Sequence, residues 1–295
     1  MRILVTGVTG VVGRAVARQL VAAGHSVSGV ATRPHQYLDP GIHLVDGPLC
    51  GPFLQQAADE SDVVVHLAPI EAGAPGGAGI SGLVHVAHAA ARGGARLIYV
   101  SQAAGHAQLY RQAEALVSTS WAPSLVVRIA PPVGRQLDWT VCRTVGSIMQ
   151  SKDRTGSLRL LHLDDLVRFL VLAVANNRTG LVHLATPDTT ELVTARQLFR
   201  AVEQRPRLSR PPTWPQLAPQ LDISAVQEDW QFEFGWRASD AVADTARGLA
   251  GRRIDVWAAV DLPGHLPVPL QVVPGTDPPD GTRLLAAAPD GLEGE

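Results

Sequence analysis

Met1-Arg2-Ile3-Leu4-Val5-Thr6-Gly7-Val8-Thr9-Gly10-Val11-Val12-Gly13 opens the chain and decides its architecture. Residues 3–6 form a short apolar run, the pattern of a strand buried on both faces. The run stops at Gly7. Residues 11–23 then place Val12, Val16, Leu20 and Ala23 at helical spacing, with Gly24 as the stop. A second apolar strand is expected over 27–31. The segment therefore reads as strand, glycine turn, helix, strand.

Outward from this unit the alternation continues. Strands are expected at 42–45, 62–67, 96–101 and 125–129, and helices at 83–92 and 110–118. Apolar strands separated by helices indicate a parallel sheet covered on both faces. The fold class is therefore α/β, a Rossmann-type doubly wound parallel sheet. Residues 71–82, rich in Gly, Ala and Pro, read as a loop on the carboxyl edge of the sheet, where ligands bind in such folds.

After Pro131 the alternation loosens. A helix is expected at 164–175 with Asp164 as its cap, and a short strand at 181–185. A helix at 194–204 would be capped by Thr194, and one at 239–249 by Ser239, with a Pro-rich basic connector at 205–219 between them. This region, about 131–253, is expected to be a smaller C-terminal substrate lobe completing a domain of 1–253. Seven prolines fall in 254–295 and make it a Pro-rich tail or linker. Such a tail suggests one part of a longer polypeptide, with a fused or partner domain beyond it.

Composition narrows the partners. With 46% hydrophobic and 18% charged residues, the chain can bury a core. Its 25 basic and 27 acidic residues give a net charge of −2, and the basic ones are scattered. No nucleic-acid partner is expected, and no attraction to an anionic membrane. Cys50 and Cys142 are too few for a disulfide framework and read as reduced thiols. No apolar run reaches the roughly 18 residues of a membrane span, and no leader pattern precedes Thr6. A cytoplasmic location is the expectation.

Gly7, Gly10 and Gly13 have a physical reading. The first allows the tight turn, the second close approach of a pyrophosphate, and the third close packing of helix on sheet. A dinucleotide is the expected ligand, held at Gly7, Thr9, Gly10, Val11, Val12 and Gly13 against the N–H groups and positive dipole end of the helix. At the end of the second strand, where a carboxylate would bind the ribose 2′-OH of NAD, stand Ala31, Thr32 and Arg33. A hydroxyl and a guanidinium, with Arg14 alongside, suit a 2′-phosphate, so NADP is favoured over NAD. Leu49, Leu67 and Ala68, after the third and fourth strands, complete the expected cofactor contacts.

These motifs resemble the extended short-chain dehydrogenase/reductase family, the NAD-dependent epimerase/dehydratases, over roughly residues 1–251. Residues 6–13 look like its first-turn motif, and Asp62-Val63-Val64-Val65-His66-Leu67-Ala68 like its fourth-strand motif. Val127-Arg128-Ile129 followed by Gly134 is similar to its sixth strand and substrate loop. Leu161-His162-Leu163-Asp164-Asp165-Leu166 is similar to its strand-to-helix step, and Phe234-Gly235-Trp236 to its late Gly-Trp element.

The resemblance implies a Ser or Thr after the fifth strand and a Tyr and Lys four residues apart on the next helix, the Lys lowering the Tyr pKa. Here Gln102 takes the hydroxyl position. Counting back from Glu114-Ala115-Leu116-Val117 puts Tyr110 at the Lys and His106 at the Tyr. The other register keeps Tyr110 as the Tyr and sets Glu114 at the Lys, where a carboxylate would raise the phenol pKa. Neither register supplies a cation, and the sole lysine is Lys152. The loop from Gln102 to His106 is short, and Pro48 stands where the family often has Asp.

Two readings follow. One is a cofactor-binding pseudoenzyme or sensor domain lacking the Ser/Tyr/Lys triad. The other is an atypical NAD(P)-dependent oxidoreductase or epimerase acting on a sugar nucleotide or small carbonyl compound, with a non-standard acid–base residue such as His106. Asp138, Trp139 and Cys142 are candidates to line a small-molecule pocket, though Asp138 and Cys142 also fit an ordinary helix face. His85 and His88 have metal-like spacing without a third ligand nearby.

Overall fold

The computed structural model describes residues 1–31, 38–71, 74, 77–104, 107–153, 155–202 and 217–251. Leu4 and Val64 pack on one side of a sheet while Ile3, Val5, Val63 and Val65 pack on the other. This period-2 alternation of apolar side chains gives the sheet two dry faces. Its strands are β1 (Arg2–Thr6), β2 (Ser26–Ala31), β3 (Ile42–Asp46), β4 (Val63–His66), β5 (Arg96–Gln102), β6 (Ser124–Ile129) and β10 (Gly180–Leu184). The sheet is parallel, and its order is β10-β6-β5-β4-β1-β2-β3. The order reverses between β1 and β4, and a crevice opens there at the carboxyl ends of the strands.

Helices cover both faces. One apolar cluster joins the sheet to α1 (Val11–Ala22), α5 (Trp139–Gln150), α6 (Leu163–Ala175), α7 (Leu192–Arg200) and α9 (Ala238–Leu249). The opposite cluster joins it to α2 (Pro52–Asp59), α3 (Gly79–Gly93) and α4 (Ala107–Ser118). Short elements complete the lobe: the pairs β7 (Pro132–Val133) with β9 (Leu161–His162) and β8 (Ser157–Leu158) with β11 (Thr190–Glu191), and the single-turn α8 (Ser224–Glu228). Among the described residues no helix is long and apolar enough to cross a membrane.

Several local expectations need correction. α2 is a helix that the sequence reading left unassigned; Pro52 starts it, in the first-turn position where its missing N–H costs nothing. The segment 71–82 is not loop throughout, because α3 starts at Gly79 and Glu71 is buried. Asp164 is not the cap of α6. The His162 ring takes that place, its Nδ1 accepting from the Asp164 N–H at 3.1 Å, while the Asp165 carboxylate accepts from the backbone N–H groups of Gly235 and Trp236. Thr194 and Ser239 lie inside their helices, which are preceded by Glu191 and Arg237. The strand at 180–184 is the seventh strand of the main sheet, beside β6. The tail 254–295, most of the connector, and the candidates Thr32, Arg33 and His106 lie outside the described residues.

Arg96 staples a strand inside this sheet to a helix on its face. Its guanidinium donates to the carbonyls of Ala173 at 2.8 Å, Asn176 and Arg178, tying the start of β5 to the end of α6. Charge-assisted bonds that cap a helix C-terminus are worth about 1.5–3 kcal/mol each, and their loss leaves buried carbonyls unmet. Arg96→Met is expected to lower stability by about 3 kcal/mol, read as an earlier urea midpoint with unchanged slope. An unchanged midpoint would show that water replaces the staple.

Candidate functional site

The glycine turn is held tightly by its surroundings. Gly7 has φ +74, and a Cβ there would lie 2.7 Å from the Ala68 backbone nitrogen. A Cβ on Gly13 would collide with the Gly7 carbonyl and sit 2.8 Å from Val8 Cα. The Gly10 N–H closes the turn on the Gly7 carbonyl at 3.0 Å. Gly10 then precedes α1 with no side-chain cap, and the first turn of the helix carries no acid. Uncapped N–H groups and an unopposed dipole end are what a phosphate needs.

Below the turn, Thr6 Oγ1 and His66 Nδ1 bond at 2.6 Å, joining the ends of β1 and β4. Burial holds the His66 imidazole down to about 4, so it stays neutral near pH 7. The two strands that frame the crevice are thus locked at their carboxyl ends without a charge.

The crevice itself is a cavity of about 310 Å³. At one end it is lined by Gly7, Thr9, Gly10, Val11, Val12 and Gly13, and along its side by Leu67, Ala68, Pro69 and Ile70. The inner end is formed by Tyr99, Val100 and Gln102 of β5, Tyr110 of α4, Ile129 and Pro132, and by Asp138, Trp139 and Thr140 at the start of α5. Eight of the expected cofactor residues, all but Thr32, Arg33 and Leu49, therefore share one wall. Leu49 is not among the residues lining the crevice. It packs near Gly82 of α3, within the apolar cluster on that face. Asp138 and Trp139 do line the crevice; Cys142 does not. Asp138 caps α5, accepting from the Val141 N–H at 2.8 Å and the Thr140 hydroxyl at 2.7 Å. Burial nevertheless raises its pKa.

Behind the inner wall lies a buried ion pair that the sequence reading missed. Glu71, after β4, accepts from Arg143 of α5, and both side chains are almost fully enclosed. Nothing in sequence links positions 72 apart. Tyr110 faces this pair. Burial first, and then the Glu71 carboxylate, push its phenol well above the ordinary range, so it stays protonated. One turn along α4, Glu114 accepts from the Ser101 hydroxyl at 2.6 Å and from two nitrogens of Arg128, one of them Nε at 2.9 Å. Glu114 is thus neutralised by Arg128. Among the described residues lining the crevice there is no Lys, Arg or His.

His85 and His88 lie on α3 along an open groove that also holds Cys50 and Trp121. Among the described residues no three His, Cys, Asp or Glu side chains converge as a metal site.

A glycine turn, a capless helix and a switch point between β1 and β4 define a Rossmann-type α/β fold. Residues 3–120 match the model of the NAD dependent epimerase/dehydratase family. The fold is similar to the Thermus thermophilus UDP-glucose 4-epimerase in complex with NAD (TM-score 0.68, 15% identity, 85% of this chain and all of that one). It is also similar to the Bordetella bronchiseptica enzyme WbmG in complex with NAD (TM-score 0.65, 18% identity, 85% and 94%). In sequence the chain is 28% identical, over its whole length, to uncharacterized protein Rv2047c of Mycobacterium tuberculosis and to uncharacterized protein Mb2073c of Mycobacterium bovis. It spans 36% of the length of these curated relatives.

Proposed function

We propose that this chain is a cofactor-binding module whose dinucleotide site is kept while the acid–base machinery of its family is lost. Gly7, Gly10 and Gly13 would hold the pyrophosphate, with Leu67 and Ala68 beside it. The bound dinucleotide would supply a nicotinamide able to exchange hydride. The observation that carries the reading is Tyr110: its phenol lines the crevice but is held protonated beside Glu71, and no Lys, Arg or His among the described residues lines the crevice with it to lower its pKa. A positioned acid–base group contributes about 10²–10⁴ in rate, so ordinary alcohol oxidation is severely impaired without one.

NADP is the dinucleotide we propose. The support is that β2 ends at Ala31, with a hydroxyl and a guanidinium following in sequence at the place where a carboxylate would favour NAD. Cytoplasmic location and a fused or partner domain beyond residue 253 belong to the same proposal, the latter supported by relatives nearly three times as long. The second reading, an atypical oxidoreductase or epimerase, is favoured by one feature: the cavity continues past the glycine turn to Gln102, Tyr110 and Trp139, leaving room for a second molecule.

Titration calorimetry with NADPH and NADH tests the proposal. NADPH is expected to bind at one site, at least about tenfold tighter than NADH, with no oxidation of a panel of alcohols and UDP-sugars. Hydride transfer that is lost in His106→Ala would establish the second reading. Failure of both nucleotides to bind would refute both.

A further inference from the structure

The segment from Pro69 to Gly79 joins β4 to α3, and its Pro69 and Ile70 form part of the side of the crevice. It is built of Gly, Ala, Pro and Ile with one exception: Glu71 is its only polar side chain. The Ala78 N–H donates to the Pro69 carbonyl at 2.8 Å, so the two ends of the segment meet. Glu71 is therefore the one side chain through which the segment can make a directional bond to the rest of the fold.

That bond goes to Arg143. Arg143 lies on α5 one turn after Trp139 and Thr140, which stand at the inner end of the crevice. Its guanidinium is 5.2 Å from the centre of the Trp139 ring, within reach of a cation–π contact. The Arg143 side chain is 0% exposed and that of Glu71 5%, and neither residue lines the crevice. Enclosing two charges costs hydration that their attraction roughly offsets, so the pair adds little stability over an apolar pair of similar size. What it supplies is direction. A carboxylate and a guanidinium meet in a set geometry, and apolar side chains do not.

We infer that Glu71 and Arg143 are positioning residues of the crevice. They tie the segment after β4 to the first turns of α5, and so hold the side and the inner end of the site at a fixed spacing without touching the ligand. The inference rests on the dinucleotide reading above and adds to it what keeps the site in shape.

The test compares the wild type with the double variant Glu71→Leu, Arg143→Met. Changing one partner alone would strand a buried charge, so both are changed together. The double variant is expected to melt close to the wild type. Amide exchange followed by mass spectrometry should nonetheless quicken about tenfold in the peptide covering 69–79, while peptides from β1 and α1 keep their rates. NADPH affinity, read by calorimetry, should fall about tenfold. A pair that only stabilises the fold would leave that peptide unchanged or quicken exchange throughout, and either result overturns the inference. So does a quickened peptide with unaltered NADPH affinity, which would separate the tie from the site. If the double variant does not fold, Glu71→Gln, which keeps the shape and an accepting oxygen, carries the same two readings. If the wild type fails to bind NADPH, the cofactor reading falls, and the exchange rates alone decide whether the pair fixes the wall.

Discussion

Gly13→Ala is expected to abolish useful dinucleotide affinity and to destabilise the fold. The added methyl would strike the Gly7 carbonyl and press on Val8 Cα at 2.8 Å, and all of these atoms are backbone. α1 must then move off the sheet, at a cost of about 3 kcal/mol, the upper end of overpacking penalties. The shift re-aims the N–H groups at the start of α1, and NADPH affinity should fall by about a hundredfold, equivalent to about 2.7 kcal/mol. Calorimetry and thermal unfolding read the two effects. The control is Gly24→Ala: Gly24 has φ +83 but open space where its Cβ would be. That variant is expected to lose about 1 kcal/mol and to bind normally. Wild-type affinity in Gly13→Ala would mean that the turn is not the phosphate cradle.

The second large effect is expected at Asp244. This buried carboxylate on α9 collects Arg135 Nε at 2.9 Å, Arg247 at 3.0 Å and His162 Nε2 at 3.2 Å. His162 in turn stacks on Trp236 with ring centroids 3.7 Å apart. Asp244→Asn keeps the shape and removes the charge, leaving the Arg135 and Arg247 guanidiniums without their counter-charge. A loss of about 3 kcal/mol is expected, or roughly 6–12 °C in Tm for a domain of this size.

Burial pushes the Asp244 carboxyl up, but the hydrogen bonds from His162, Arg135 and Arg247 outweigh it, and its pKa lies below the usual range. Its stabilisation is therefore complete above the unfolded carboxylate pKa of about 4 and drains away as pH falls below that. Asp138, Asp164 and Asp165 are raised by burial and act in the opposite sense, so the whole-protein profile mixes both signs. The difference between wild type and Asp244→Asn isolates the first: a gap that is constant from about pH 8 to about pH 5 and narrows below it. A gap that widens on acidification would contradict this assignment.

The parts of the fold visible in sequence are those with a period. Ile3, Leu4, Val5 and Val63, Val64, Val65 announce buried strands because each set is an unbroken apolar run. The glycine spacing at 7, 10 and 13 announces the crevice because few other residues fit those positions. What stayed hidden depends on tertiary contact. α2 is only eight residues long and leaves Phe53 exposed, so its apolar stripe is short. The caps at 162, 191 and 237 come from a histidine ring or have no side-chain bond, where a Ser, Thr or Asp signal pointed elsewhere. The pairing of Glu71 with Arg143 joins two segments that local sequence does not connect, and the Glu71 carboxylate adds to the upward push of burial on the Tyr110 phenol. Gln102 and Tyr110 were legible as positions through the family count, but their chemistry was not.

Trp139 stands at the inner end of the crevice, with the Arg143 guanidinium 5.2 Å from the centre of its ring. Indole emits in the band where reduced nicotinamide absorbs. A reduced dinucleotide seated against this wall would drain light from Trp139 far more efficiently than from Trp121, which stands out in solvent at 95% exposure. On the proposed cofactor reading Trp139 would thus report occupancy, and Trp139→Phe should weaken that signal.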